Sequence, residues 1–250
     1  MVTELSKDDL TQLKQFRLGD QIESSTLLPV DMFLNKEKLT DFLESLQIRV
    51  HAPDIQVAAS MFAKRYGFFA VLTLYAMSVL DKRVNTALSN ISLDMNDAND
   101  IWLPTFVLAD YQTISPINRG KWREETVKQL FSEHIHIVIN TLSKVTKISK
   151  LILWENIAIY IFWLYERLLH DKNLQTRSQV IREDFNFLLE NDQGALFGPY
   201  NKNPISRFYH EKTYIPNKEA EIRLRTTCCL FYKTTENQDR CLTCPVTCVR

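Results

Sequence analysis

The chain reads as mainly α: a helical domain with a small β-hairpin, closed by a short C-terminal cysteine-rich lobe. Three observations carry that reading. Apolar residues recur at helical spacing over most of the chain, and a period of two replaces it only around positions 87–108. All five cysteines of the 250 residues then fall in the last 23 positions. An apolar content of 45% at this length is enough for a core that needs no covalent staples.

The elements follow in order. Ser6 caps a helix to Phe16, with acids in its first turn and Leu10 and Leu13 three apart. Asn35 caps a second helix, which sets Leu39, Phe42, Leu43 and Leu46 along one stripe. Pro53 suits the first turn of a long helix toward Leu80, apolar on most faces and therefore central. Ala87, Ser89, Ile91 and Leu93 alternate with polar neighbours, Asn96–Asp100 reads as a turn, and Phe106-Val107-Leu108 completes a hairpin. Glu124–His170 is too long for one straight helix, and the β-branched, polar stretch Lys144–Lys150 marks the break. A further helix runs from about Arg177 to Leu189, stopped by Asn191–Gly194. A soft boundary near Tyr214–Pro216 separates a helical domain, residues 1–215, from the cysteine lobe, residues 216–250.

Composition excludes several functions. Thirty basic and thirty acidic residues leave no net charge and no nucleic-acid footprint. Only five glycines occur, without a G-x-G-x-x-G or Walker pattern, so direct binding of a nicotinamide or flavin is not expected and electrons must come from a partner or a diffusing reductant. Gly67–Leu80 is too short to cross a bilayer, and Leu151–Tyr165 is broken by Glu155 and Asn156. Both stretches read as core helices of a soluble domain, and peripheral membrane association stays open. The start of the chain has no export signal, and an odd cysteine count fits a disulfide framework badly, so a cytoplasmic, reducing location is expected.

Other residues read blandly. His134 and His136, two apart on a helix, face away from one another and read as packing or surface groups. His210 reads as a loop histidine, and Trp102, Trp122, Trp154 and Trp163 as core. Asn156, an amide inside an apolar helix, needs buried partners and is placed to brace the cysteine-bearing loop.

The cysteines are more specific. Cys228 and Cys229 are adjacent, eleven residues intervene, and Cys241 and Cys244 form a C-x2-C; Cys248 stands apart. Two close thiol pairs across a loop suit a zinc ion or an iron–sulfur cluster, and spacing alone leaves both open. From Tyr200 onward nine Lys or Arg face five acids, an excess that suits a negatively charged thiolate centre.

Cys228-Cys229-x11-Cys241-x2-Cys244 at the end of a mostly helical chain resembles the FhuF family of bacterial ferric siderophore reductases, whose signature is C-C-x10-C-x2-C. Arg225, Leu230, Tyr232, Lys233 and Pro245 match its surroundings, and Trp154-Glu155-Asn156 and Asn203-Pro204-Ile205 resemble its upstream segments. The loop is one residue longer here, and Cys248 has no counterpart. The resemblance implies a helical domain shared with the C-terminal part of IucA/IucC-type siderophore synthetases. It also implies that the lobe is an iron–sulfur lobe, with a [2Fe–2S] cluster on Cys228, Cys229, Cys241 and Cys244. The activity implied is cytoplasmic one-electron reduction of a ferric siderophore, of hydroxamate type, with release of Fe(II). Arg223, Arg225, Tyr232 and Lys233 are then candidates for tuning the cluster or meeting the chelate. Two rival readings are a zinc-stabilised module that binds a siderophore or a protein without catalysis, and a cluster-bearing redox sensor.

Overall fold

The computed structural model describes residues 1–19, 27–95, 102–190 and 194–246. Its helices are α1 (Lys7–Lys14), α2 (Lys36–Arg49), α3 (Ile55–Ser78), α4 (Arg119–Leu130), α5 (His136–Thr146), α6 (Lys150–His170) and α7 (Ser178–Glu190). The centre is the crossing of α3 with α6, against which the other helices are arranged. Gly67 makes that crossing close: a Cβ there would stand 3.1 Å from the Tyr160 ring and 3.3 Å from the Ile157 backbone. By length and composition α3 could cross a membrane, yet 83% of its apolar window is buried inside the protein.

Local chemistry sets the ends of these helices. Ser6 and Asp9 form a reciprocal capping box on α1, and the Asn35 side chain accepts from Lys38 N on α2. The long helix starts two residues later than a first-position Pro53 suggests. Asp54 accepts from Val57 N at 2.9 Å and takes the cap, so Pro53 lies just outside the helix. The expected pair of helices across 124–170 is present and begins earlier, at an Asn118 cap. It contains one feature with no sequence signal, a π-turn at Phe131–Ile135 that joins α4 to α5. The break falls where expected: Lys147 takes a left-handed backbone (φ 64°) and Ser149 caps α6.

The hairpin pairs β4 (Ile91–Asp94) antiparallel with β5 (Thr105–Leu108), Ile91 opposite Leu108 and Asp94 opposite Thr105. Residues 88–90 form a 3₁₀ turn instead of extending the strand. The expected turn at 96–100 and the helix stop at 191–193 lie outside the described residues. Other short strands were not expected. β2 (Leu27–Pro29) adds to β4, and a second sheet has the order β1 (Val2–Glu4), β6 (Gln112–Ile114), β3 (Arg83–Val84). A two-stranded hairpin, β7 (Thr213–Ile215) and β8 (Ala220–Ile222), leads into the cysteine segment.

Candidate functional site

Inside the apolar α3–α6 crossing sit three fully buried polar residues, Ser60, Glu155 and Asn156. Each is spent on the segment that leads to the first cysteine pair. Glu155 Oε1 accepts from Thr226 N at 2.6 Å and from Thr226 Oγ1 at 3.0 Å. Its Oε2 accepts from Thr227 N at 2.8 Å and from the Thr227 hydroxyl. Arg225, 3% exposed, donates through Nη2 to Asn156 Oδ1 at 2.6 Å and lies 3.5 Å from Glu155 Oε2. Asn156 Nδ2 donates to Ser60 O and Oγ at 3.0 and 2.9 Å, and Ser60 Oγ donates to Cys229 O at 2.7 Å. Asn156 thus braces the loop as its sequence context suggests, and the neighbouring carboxylate does more of the holding. A buried charge network of this kind is costly unless complete, and here nearly every member is paired.

The second arm is tied to the first. Arg225 N donates to Thr243 O at 2.9 Å, Cys244 N donates to Cys241 O at 3.0 Å, and Lys218 Nζ donates to Leu242 O at 2.6 Å. Leu230, left-handed at φ 64°, turns the chain sharply after the first pair into a 3₁₀ turn at Phe231–Thr234. The result brings Cys229 Sγ and Cys241 Sγ to 3.6 Å. Cys229 and Cys244 are buried, whereas Cys228 and Cys241 are half-buried; all four are free thiols. Cys248 lies outside the described residues.

This pair is electrostatically prepared. The hydrogen bond with Cys241, then Lys64, Arg225 and the Phe231 N–H, hold the Cys229 thiol well below its ordinary pKa against the opposing pull of burial. The same bond, burial and the Cys229 charge push Cys241 up. Cys229 is therefore the more acidic thiol of the two, beside Lys64 and Arg225. Arg225 Nη1 is buried without a hydrogen-bond partner among the described residues, which leaves a donor for an additional acceptor in the lobe. No three His, Cys, Asp or Glu side chains among the described residues converge on one metal ion. A binuclear cluster takes two thiolates per iron and does not need such a point.

The other candidates fall differently. Arg225 is not a surface cation awaiting a ligand; it is interior and positions the loop. Arg223 is also committed, donating to Glu166 at 2.5 Å with its guanidinium 4.0 Å from the Tyr209 ring centroid. Tyr232 lies under Arg240, 4.4 Å from its ring centroid, while Lys233 is exposed. Two cations escaped sequence reasoning. Lys64 of α3 lies 5.1 Å from the Phe231 ring centroid, and Arg240 Nη1 is 3.9 Å from Cys244 Sγ. Arg240 was close in sequence and readable; Lys64 reaches the lobe only through the fold.

His134 is buried, between Thr86 O at 2.6 Å and Tyr66 OH at 2.7 Å, and His136 meets Tyr200 OH at 3.0 Å, so both serve packing. Three tryptophans are core, but Trp163 is 41% exposed. Asn203 is a structural turn residue, donating to Leu188 O at 2.7 Å and accepting from Ile205 N.

A family model described as Ferric iron reductase FhuF-like transporter matches residues 60–214. Another, described as FhuF 2Fe-2S C-terminal domain, matches residues 225–245. A search of curated proteins finds no match. The second match decides between zinc and iron–sulfur: the group of this lobe is a [2Fe–2S] cluster.

Proposed function

The chain belongs to the FhuF-like family of ferric iron reductases, and from that premise we propose that it is a cytoplasmic ferric siderophore reductase. It takes one electron from a separate donor and delivers it to Fe(III) held by a hydroxamate-type chelate. Oxygen donors of that kind hold Fe(II) weakly, so the reduced metal leaves. Three singly charged hydroxamates stabilise Fe(III) less than three doubly charged catecholates, which makes them the easier class to reduce.

The observation that carries this reading is the approach of Cys229 and Cys241, from opposite arms of the lobe, to 3.6 Å beside Lys64 and Arg225. Cys228, Cys229, Cys241 and Cys244 are the ligands in this reading, and Cys248 is not one. When bound, the [2Fe–2S] group supplies a one-electron carrier. The rest falls to side chains. Glu155 and Asn156 hold the first thiol pair in place through Arg225, Thr226 and Thr227. Lys64 and Arg225 offset the negative charge of four thiolates, and Arg225 Nη1 offers its free donor. Burial of Cys229 and Cys244 keeps water from one side, while half-buried Cys228 and Cys241 leave the other side open to a partner. No acid–base or nucleophilic catalyst is required.

Anaerobically purified protein tests this directly. It should contain two irons and two acid-labile sulfides per chain in order-of-magnitude agreement with a binuclear cluster, and reduce ferric hydroxamates to trappable Fe(II). Cys229→Ser and Cys241→Ser should lose both properties, and Cys248→Ser neither. A colourless protein holding stoichiometric zinc defeats the reading.

A further inference from the structure

Between α6 and the cysteine lobe lies a cavity of about 280 Å³. One wall is the α6 face Ile159, Phe162 and Trp163. The opposite wall is Leu224, on the approach to the first cysteine pair, with Leu242 and Thr243 from between Cys241 and Cys244. Two large apolar side chains stand uncovered at this place: Trp163 is 41% exposed and Leu242 is 75% exposed. The knuckle that carries Leu242 is fixed, since Lys218 Nζ holds its carbonyl and Cys244 N closes the turn. Arg167 lies 5.5 Å from the Trp163 ring centroid, which stiffens that wall as well.

The charges of the lining decide what it can take. Glu155, Glu166 and Glu221 face Lys212 and Arg223, a formal excess of one acid. Both cations are spent on Glu166, at 2.7 and 2.5 Å, and Glu155 is filled by Thr226, Thr227 and Arg225. Among the lining residues an anionic chelate would meet no unpaired cation, and Arg167, against Trp163, lies outside the lining. Fe(III) with three hydroxamates is neutral, whereas Fe(III) with three catecholates carries three negative charges. A second cavity, of about 380 Å³, has the opposite character. Lys150, Lys202 and Arg207 line it without any acid, and it touches no residue of the cysteine lobe.

We propose that the cavity between α6 and the lobe is the docking site of the ferric chelate, of the hydroxamate type already proposed, gripped between Trp163 and Leu242. The assignment rests on the reductase reading and adds where the substrate sits. Leu242 and Thr243, which line the cavity, lie between Cys241 and Cys244 in the chain, so a chelate bound there sits against the knuckle that carries the second cysteine pair.

The gallium(III) tris-hydroxamate, a redox-inert stand-in, separates docking from reduction. Titrated into cluster-loaded protein, it should quench the exposed tryptophan and give a Kd by calorimetry. Trp163→Ala should weaken that Kd about tenfold or more, the scale set by one large apolar contact, and Leu242→Ser by a smaller factor. KM for the ferric chelate should rise in parallel, with the cluster spectrum unchanged. Arg207→Ala, in the basic cavity, should change neither, and the trianionic gallium tris-catecholate should bind far more weakly. Unchanged Kd in both Trp163→Ala and Leu242→Ser, or a loss confined to Arg207→Ala, overturns the assignment while reduction by the wild type stands. Trp163-dependent binding without any reduction of the ferric form leaves the docking site standing and overturns the reductase reading instead.

Discussion

The α3–α6 crossing and the cysteine lobe are held by opposite means. The crossing is almost wholly apolar, with Phe62, Phe69, Ile157 and Ile161 at 0–1% exposure and Gly67 admitting a close backbone approach. The lobe has short strands, 3₁₀ turns and few buried apolar side chains, and it hangs from that crossing by Glu155, Asn156 and Ser60. The redox centre is thus mounted on the fold by three polar groups set within an apolar scaffold.

The largest expected effect separates the two regions completely. Cys229→Ser or Cys241→Ser should abolish the visible spectrum and chelate reduction while the far-UV circular dichroism of the helices is retained. Parallel loss of helix would show that the scaffold needs the cluster. Next, Glu155→Ala leaves Arg225 buried without its carboxylate and orphans the Thr226 and Thr227 N–H groups. A broken buried charge network costs about 3–5 kcal/mol, to be read from the urea midpoint. Limited proteolysis should then cut between β8 and Cys228, whereas Glu155→Gln should be milder on both counts.

A third expectation concerns the scaffold alone. Burial holds the His134 pKa down to about 4, below an ordinary unfolded value of about 6.5. The unfolded state therefore binds the proton first. The stability contributed by neutral His134 is complete above about pH 6.5 and is lost as pH falls toward 4, by roughly 3 kcal/mol in all. The pH dependence of the urea midpoint in cluster-free Cys229→Ser protein should show this slope, and His134→Gln should flatten it. The smallest effect is Gly67→Ala. Its methyl would press on Tyr160 and Ile157 and cost about 1–3 kcal/mol, with the cluster spectrum intact.

How much of this was legible in the sequence follows the reach of each interaction. Ser6, Asn35 and the break before α6 are local signals, and they stand where the residues place them. The β4–β5 hairpin was legible from alternation, apart from the 3₁₀ turn at its start. The strands β1, β3 and β6 were not, because two or three residues hold no period and their partners are distant in the chain. The π-turn at Phe131–Ile135 has no residue code. At the site the four cysteines were plain and Asn156 was legible as a buried amide. Glu155 was noticed as an interruption of an apolar run and as part of the Trp154–Asn156 segment, and Arg225 as a candidate to tune the cluster or meet the chelate, but neither was read as a buried anchor of the loop. Both errors share a cause: a charged side chain announces a partner only when the partner's segment is folded against it. Lys64 was invisible for the same reason.

The most direct test of the account is a single turnover. Cluster-loaded protein, reduced and freed of excess reductant, is mixed anaerobically with a ferric tris-hydroxamate and a ferrous trap while the cluster absorbance is followed. The cluster should reoxidise as trapped Fe(II) appears, about one per cluster as a one-electron carrier requires, and Cys241→Ser should yield none. A cluster that stays reduced in the presence of the chelate, with the trap uncoloured, would contradict the reductase reading.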